Sequence, residues 1–395
     1  MSNVAFYFSS VVGINTGKGG AYYSLLTYRN ELQREYGTQV IHYNELSHPT
    51  VIDAETDVLL KPAQSFTEKY NELRKYFKEY RPEAIFSFSQ KSLTLLLRWF
   101  CLIYGCKFIY VRAGGGNYKL TQFFNNIIFY SNENMEFCKG KQVKNSYLVS
   151  NRVEVPQPNN QRVSQFTTAN PADADSLKIL RVSRINFKYL QTFISAINQH
   201  KRFRQMGVNV ITHLIGFEED AQAAEEIKKQ IEGVEGIKLF TDAEHTSNTQ
   251  ELIPYYDVVI GIGRGFWEAV AYGKLVLGFA SNSEVPVLVT PQNIDTFIKY
   301  NFSDRVKLDS FETFVDAYPE FKNNKFKEGY INDLRTVFDE HYSSAFLVQK
   351  LKKVIADSHR EDFMSIANSC MVIDNRVEFK QGIKKIIKGT KPSVK

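Results

Sequence analysis

The chain has 395 residues, 43% of them hydrophobic, with 30 Phe and 22 Tyr. That is ample material for two domain cores of ordinary size. Its four cysteines, Cys101, Cys106, Cys138 and Cys370, show neither metal-ligand spacing nor a disulfide framework, and read as small buried hydrophobes in a reducing cytoplasm. Residues 1–8 lack a basic region, a long apolar run and a cleavage site, so no secretion signal is expected.

In chain order, residues 4–10 read as a strand, followed by Gly13 and by the run Gly17-Lys18-Gly19-Gly20. A helix is expected over 21–36, closed by Gly37, then a strand over 38–43 and a helix over 68–80 with Leu73, Tyr76, Phe77 and Tyr80 at core spacing. Arg81-Pro82 ends that helix and 84–89 reads as a strand. Residues 92–111 are Leu-rich and aromatic, but only about a dozen apolar residues precede Gly105, too few to cross a bilayer. They read instead as a buried helix over 92–103 and a strand over 107–111, which runs into Arg112-Ala113-Gly114-Gly115-Gly116-Asn117. Three glycines at the carboxyl end of a strand suggest backbone lying close to a ligand. Residues 151–176, with Pro156, Pro158 and Pro171, read as a linker.

The alternation then begins again, with strands over 177–182, 209–215, 237–240 and 258–260 and helices over 190–206 and 220–231. Strand, helix and strand in alternation imply a parallel sheet covered on both faces, so the fold class is α/β with two doubly wound domains. Past the first of these strands comes Arg181-Val-Ser-Arg184-Ile-Asn-Phe-Lys188. Past the last comes Gly261-Ile-Gly263-Arg264-Gly265-Phe266-Trp-Glu268, leading into a helix over 266–272 that stops at Gly273. Glycines admit an anion to the backbone, a helix start offers unpaired N–H groups, and Arg264 can fork onto phosphate. Glu268, expected in the first turn, can receive ribose hydroxyls. This is the layout of a sugar-nucleotide site.

Residues 257–279 resemble the C-terminal domain of GT-B glycosyltransferases, especially the large bacterial group of retaining enzymes that build surface polysaccharides. Their donor loop reads roughly D-V-V-V-x-x-G-R-x-x-x-E-A-x-A-x-G-x-P-V-I. Glu268-Ala269 and Gly273 match it, while Lys274-Leu275 stands where Lys-Pro or Ile-Pro is usual. Ile260 stands where many retaining members carry a second glutamate. The resemblance implies two Rossmann-like domains facing a cleft: an acceptor domain over 1–150, a nucleotide-sugar domain over 177–340, and C-terminal helices over 341–395 crossing back to the first. It implies Arg184 and Lys188 as a clamp on the donor diphosphate, at a spacing of four where five is usual, acting with Glu268 in catalysis. It implies donor contacts from Gly216, Gly263, Arg264, Gly265, Phe266 and Glu268. Across the cleft it implies acceptor-side contacts from Gly19, Gly20, Arg112, Gly114, Gly115, Gly116 and Asn117. The donor would be a UDP or GDP sugar, with no other cofactor, and the acceptor a saccharide, free or lipid-linked.

Charge divides the chain. Residues 1–150 carry net +5, residues 151–340 net −5 and residues 341–395 net +6, which together give the overall +6. Residues 377–388 alternate apolar and cationic positions at roughly helical spacing, so the basic regions suit an anionic membrane surface and a peripheral location. No aromatic-studded basic motif points to nucleic acid. The seven histidines form no H-x-x-x-H or H-E-x-x-H set, no G-x-S-x-G turn occurs, and no D-x-D motif points to a metal-dependent transferase, so no metal is expected. His213, in an apolar strand, reads as a core residue. Two other functions fit the same fold: a catalytically silent subunit that binds glycan or protein, and a sugar-nucleotide epimerase.

Overall fold

The computed structural model describes residues 2–10, 20–45, 52–89, 93–116, 121, 123–141, 143–150, 152–154, 157–321 and 324–370. They form two compact units: the described residues of 2–149 with those of 344–370, and those of 150–343.

The first unit contains β1 (Asn3–Ser10), α1 (Gly20–Leu32), β2 (Gly37–Asn44), β3 (Val58–Leu60), α2 (Phe66–Tyr80) and β4 (Ala84–Ser87). It continues with α3 (Thr94–Tyr104), β5 (Lys107–Arg112), β6 (Asn126–Phe129), α4 (Asn132–Cys138) and β7 (Asn145–Leu148). The seven strands form one parallel sheet in the order β3-β2-β1-β4-β5-β6-β7. Successive side chains of β1 enter opposite layers, Ala5 and Tyr7 joining the residues of α2 and α3, Val4 and Phe6 joining those of α1. That is the period of two of a strand buried on both faces. Ser65 caps α2 reciprocally with Glu68: its Oγ accepts the Glu68 amide at 3.2 Å, and the Glu68 carboxylate accepts the Ser65 amide at 2.6 Å. Gly105, at φ 69, ends α3.

The second unit contains α5 (Asn160–Ala169), β8 (Leu177–Val182), α6 (Phe187–Gln205), β9 (Val210–Ile215), α7 (Ala221–Ile231), β10 (Ile237–Phe240) and α8 (Ala243–Thr246). β11 (Val258–Ile260), α9 (Arg264–Ala271), β12 (Leu275–Gly278), β13 (Val287–Leu288), α10 (Ile294–Lys299), α11 (Phe314–Phe321) and α12 (Asn324–His341) follow. Its sheet runs β10-β9-β8-β11-β12-β13, parallel except for the antiparallel last pair. Residues 151–176, expected as a linker, instead contain α5. Phe166 packs edge-on against His213 and Tyr255 in the core, and Val153 bridges to Ser343. The prolines flank the helix rather than interrupt it, which is why their density misleads.

The chain returns to the first unit through α13 (Leu347–Asp357) and α14 (Phe363–Ser369). Leu347, Leu351, Val354 and Ile355 share a core with Val4, Phe6 and Leu25. The segment between these helices runs along the amino ends of the strands. Lys107 Nζ donates to the Ile355 carbonyl at 2.7 Å, Asn145 to that of Asp357 at 2.7 Å, and Asn126 exchanges two bonds of 2.8 Å with the His359 backbone. Beneath it lies a fully buried ion pair, with Arg98 Nη2 2.7 Å from Glu361 Oε2. Arg98 also donates to Ser365 at 2.6 Å and to Ser369. No helix among the described residues is long and apolar enough to cross a membrane.

Candidate functional site

In each sheet the strand order reverses once, between β1 and β4 and between β8 and β11. Loops leaving the carboxyl ends of parallel strands diverge at such a point, and ligands of doubly wound sheets bind there. Both cation-bearing loops picked out in the second half of the sequence leave this switch point of the second unit. The loop 183–186 follows β8, and 261–263 follows β11.

β8 and β11 stay paired to the last residue, Ile260 opposite Arg181. The Arg181 guanidinium is fully buried and crosses the switch point. It donates to the carbonyls of Val182 at 3.1 Å and Ile260 at 3.3 Å and to Thr192 Oγ1 at 2.7 Å, and lies over the Phe193 and Phe279 rings. Burial lowers its pKa to about 9, so it remains a cation at neutral pH. Sequence reasoning passed over it; its signal was its position at the end of a strand next to a predicted site loop.

The loop after β8 is zipped to the loop after β9. Ile185 donates its amide to the Phe217 carbonyl at 2.8 Å and accepts the Glu219 amide at 3.0 Å. A Cβ on Gly216 would stand 2.1 Å from the Ser183 carbonyl oxygen, and the Gly216 amide already donates to Phe240 at 3.0 Å. The structure therefore accounts for this glycine by loop packing, where a donor contact was expected. Glu219 uses one oxygen for Arg184 at 2.9 Å and the other for Asn186 at 2.6 Å. Asn186 also caps α6, accepting the Tyr189 amide at 3.2 Å.

Arg184 and Lys188 come together around Tyr189, with the Arg184 Cζ 5.6 Å and the Lys188 Nζ 5.0 Å from the ring centroid. Burial opposes ionisation of this phenol, but Lys188 and Arg184 outweigh it and hold its pKa below the usual tyrosine value. Arg184 remains half exposed, its side chain 51% accessible. Two cations thus converge at a partly open helix start, a geometry suited to a diphosphate.

The loop after β11 is shaped by its glycines. A Cβ on Gly261 would meet the Phe266 Cα at 2.5 Å, and Gly263 has φ 52 and ψ −116, a conformation open essentially to glycine alone. This turn starts α9 at Arg264, two residues before the expected start. Glu268 therefore stands one turn along the helix rather than in its first turn. A Cβ on Gly265 would meet nothing within 4 Å, which leaves that backbone approachable. Phe266 is fully buried against Phe302, with ring centroids 4.4 Å apart, so only its backbone can reach a donor. Arg264 Nε donates to Glu268 Oε1 at 2.7 Å and Nη1 to the Arg152 carbonyl at 3.2 Å. The two side chains expected at phosphate and ribose are thus partners of each other, at 14% and 18% exposure.

In the first unit, the Arg112 guanidinium bonds the Gly116 carbonyl and is nearly buried. Gly114 and Gly115 have φ 102 and 82, and Asn134 donates to the Gly115 carbonyl at 3.2 Å. Backbone conformation accounts for these two glycines, and Arg112 braces its own loop. Gly20 opens α1 with nothing within 4 Å of an added Cβ; Gly19 and Asn117 lie outside the described residues, as does the basic tail over 377–388.

No family model and no curated protein matches this chain. Solved structures do. A glycosyltransferase from Rickettsia africae superimposes with TM-score 0.62 at 13% identity, over 90% of this chain and 98% of that one. Anabaena HepE, in complex with UDP and glucose, gives 0.59 at 12% identity, over 90% and 100%. The UDP-GlcNAc 2-epimerase of Neisseria meningitidis, bound to UDP-GlcNAc, gives 0.53 at 14% identity, over 89% and 100%. The chain therefore has the GT-B fold, two Rossmann-like domains that glycosyltransferases and these epimerases share.

Proposed function

We propose that this protein is a glycosyltransferase that moves a hexose from a nucleotide diphosphate sugar, of UDP or GDP type, to a saccharide or lipid-linked saccharide in cell-surface glycan synthesis. The observation that carries the reading is the convergence of Arg184 and Lys188 at the β8–β11 switch point, beside the glycine-shaped start of α9. In such a transfer the bond from the anomeric carbon to the diphosphate breaks as the acceptor oxygen bonds to that carbon. Negative charge grows on the departing phosphate, and fixed cations that meet it there lower the barrier. Arg184 and Lys188 supply this charge, the α9 start adds backbone donors, and Glu268 receives the ribose hydroxyls once Arg264 turns to phosphate. A chelator would leave the activity intact, since the cations needed are side chains. The basic N-terminal region and tail support work at the inner face of an anionic membrane.

A screen of UDP-, GDP- and dTDP-sugars by thermal shift, followed by assay of nucleotide release with and without saccharide acceptors, tests the reading. Release of free nucleotide with transfer of sugar supports it. The fold is also that of an epimerase, and that activity would appear as a sugar nucleotide converted to its epimer. A chain that binds no donor and releases no nucleotide would be the silent binding subunit that the isoleucine at 260 also permits.

A further inference from the structure

Tyr189 takes no part in the site as the sequence describes it, yet Arg184, Asn186, Lys188 and Thr192 on the β8 side of that site all touch it. Its amide is fixed by Asn186 at 3.2 Å. Its carbonyl accepts from Thr192 Oγ1 at 2.6 Å, and that hydroxyl is held in turn by the buried Arg181 at 2.7 Å. The side chain is half-buried, Arg184 and Lys188 lie against its ring, 5.6 and 5.0 Å from the centroid, and among the described residues its hydroxyl makes no hydrogen bond. Cationic side chains can only donate, so neither neighbour can accept the phenol proton, and its O–H stays available as a donor. Glu219, the carboxylate paired with Arg184, is already engaged at both oxygens.

We propose that Tyr189 is a third ligand of the donor's leaving phosphate, its hydroxyl donating to a phosphate oxygen held between Arg184 and Lys188. This rests on the donor-site reading above and adds a named residue to it. The two cations draw electron density from the phenol, which makes its O–H a stronger donor to an anion. A bond of this kind strengthens as charge collects on the phosphate during transfer. The ring serves separately as the shelf on which both cations lie.

The test is Tyr189→Phe in the full chain, which keeps the shelf and removes the donor. Binding of UDP, GDP and dTDP is measured by calorimetry and that of the matching nucleosides by ligand-observed NMR, with Lys188→Ala as reference. Tyr189→Phe is expected to weaken diphosphate binding about ten- to a hundredfold, the effect of losing a hydrogen bond to a charged group. Nucleoside affinity and thermal unfolding should stay unchanged. Wild-type diphosphate affinity in Tyr189→Phe, with weakened binding in Lys188→Ala, overturns the role of Tyr189 and leaves the donor site standing. Equal losses for nucleoside and diphosphate, or a variant that does not fold, make the hydroxyl structural and also overturn it. Undiminished binding in Lys188→Ala, or a wild type that binds none of the three nucleotides, refutes the donor site itself.

Discussion

Replacing Glu268 by alanine sets two effects against each other, and the structure says how to separate them. A carboxylate that receives ribose hydroxyls contributes about 1.5–3 kcal/mol, so its loss should weaken nucleoside binding roughly ten- to a hundredfold. The same substitution releases Arg264, whose Nε lies 2.7 Å from Glu268 Oε1. A freed guanidinium attracts a diphosphate more strongly, which offsets part of the loss for the charged ligand alone. Glu268→Ala should therefore cost more affinity for the nucleoside than for its diphosphate. Arg264→Ala should do the reverse, sparing the nucleoside. Calorimetry for the diphosphate and ligand-observed NMR for the weaker nucleoside measure both. A folded Glu268→Ala protein with unchanged nucleoside affinity would refute the ribose assignment and leave Glu268 as the i+4 partner of Arg264.

Other expectations concern stability and the glycines. Glu361→Ala strands the buried Arg98 and should cost about 3–5 kcal/mol in denaturant unfolding, while Arg98→Met with Glu361→Leu should recover most of it. His213 is buried among aromatic rings, and burial lowers its pKa to about 4 from 6.5. The unfolded chain then binds a proton that the folded one refuses, so stability is full above pH 6.5 and falls toward pH 4. His213 should contribute about 2 kcal/mol of the drop between pH 7 and 5, and His213→Phe should remove that part of the slope. Gly265→Ala should keep or raise the melting temperature, because the space is open and alanine favours helix, yet weaken diphosphate binding by crowding the approach. Gly216→Ala should lower the melting temperature directly, its methyl group being driven onto the Ser183 carbonyl.

Much of the fold was legible because buried parallel strands are written as apolar runs. Residues such as 84–87 and 258–260 are buried throughout and stand beside glycine, proline or charge. The doubly wound architecture follows from that alternation. What the sequence hid depends on long-range partners. Phe166 looks like an isolated aromatic in a polar stretch, and long-range contacts, its own with His213 and Tyr255 and those of Arg162 with residues 244–251, make α5 part of a domain. Gly216 and Gly265 look alike in one dimension, yet one is demanded by a carbonyl 2.1 Å away and the other faces open space. The pairing of Arg264 with Glu268 was readable, since residues four apart share a helix face, but only once the helix start was placed at Arg264.

The charge pattern supplies a further argument. Residues 151–340 carry net −5, so the field of that domain as a whole repels a nucleotide diphosphate. Yet Arg181, Arg184, Lys188 and Arg264 all flank the switch point, and the carboxylates there are committed, Glu219 to Arg184 and Asn186, Glu268 to Arg264. Arg181 is fully buried with no salt-bridge partner among the described residues, held by carbonyls, a hydroxyl and two rings. Burying a charge so incompletely compensated is expensive, and folds keep such costs mainly where function requires them. A cation excess confined to one edge of an acidic domain acts only at close range, because exposed charge is screened within about 8 Å at physiological ionic strength. It therefore suits an anion delivered into the loops themselves, as the diphosphate of the proposed sugar-nucleotide donor would be.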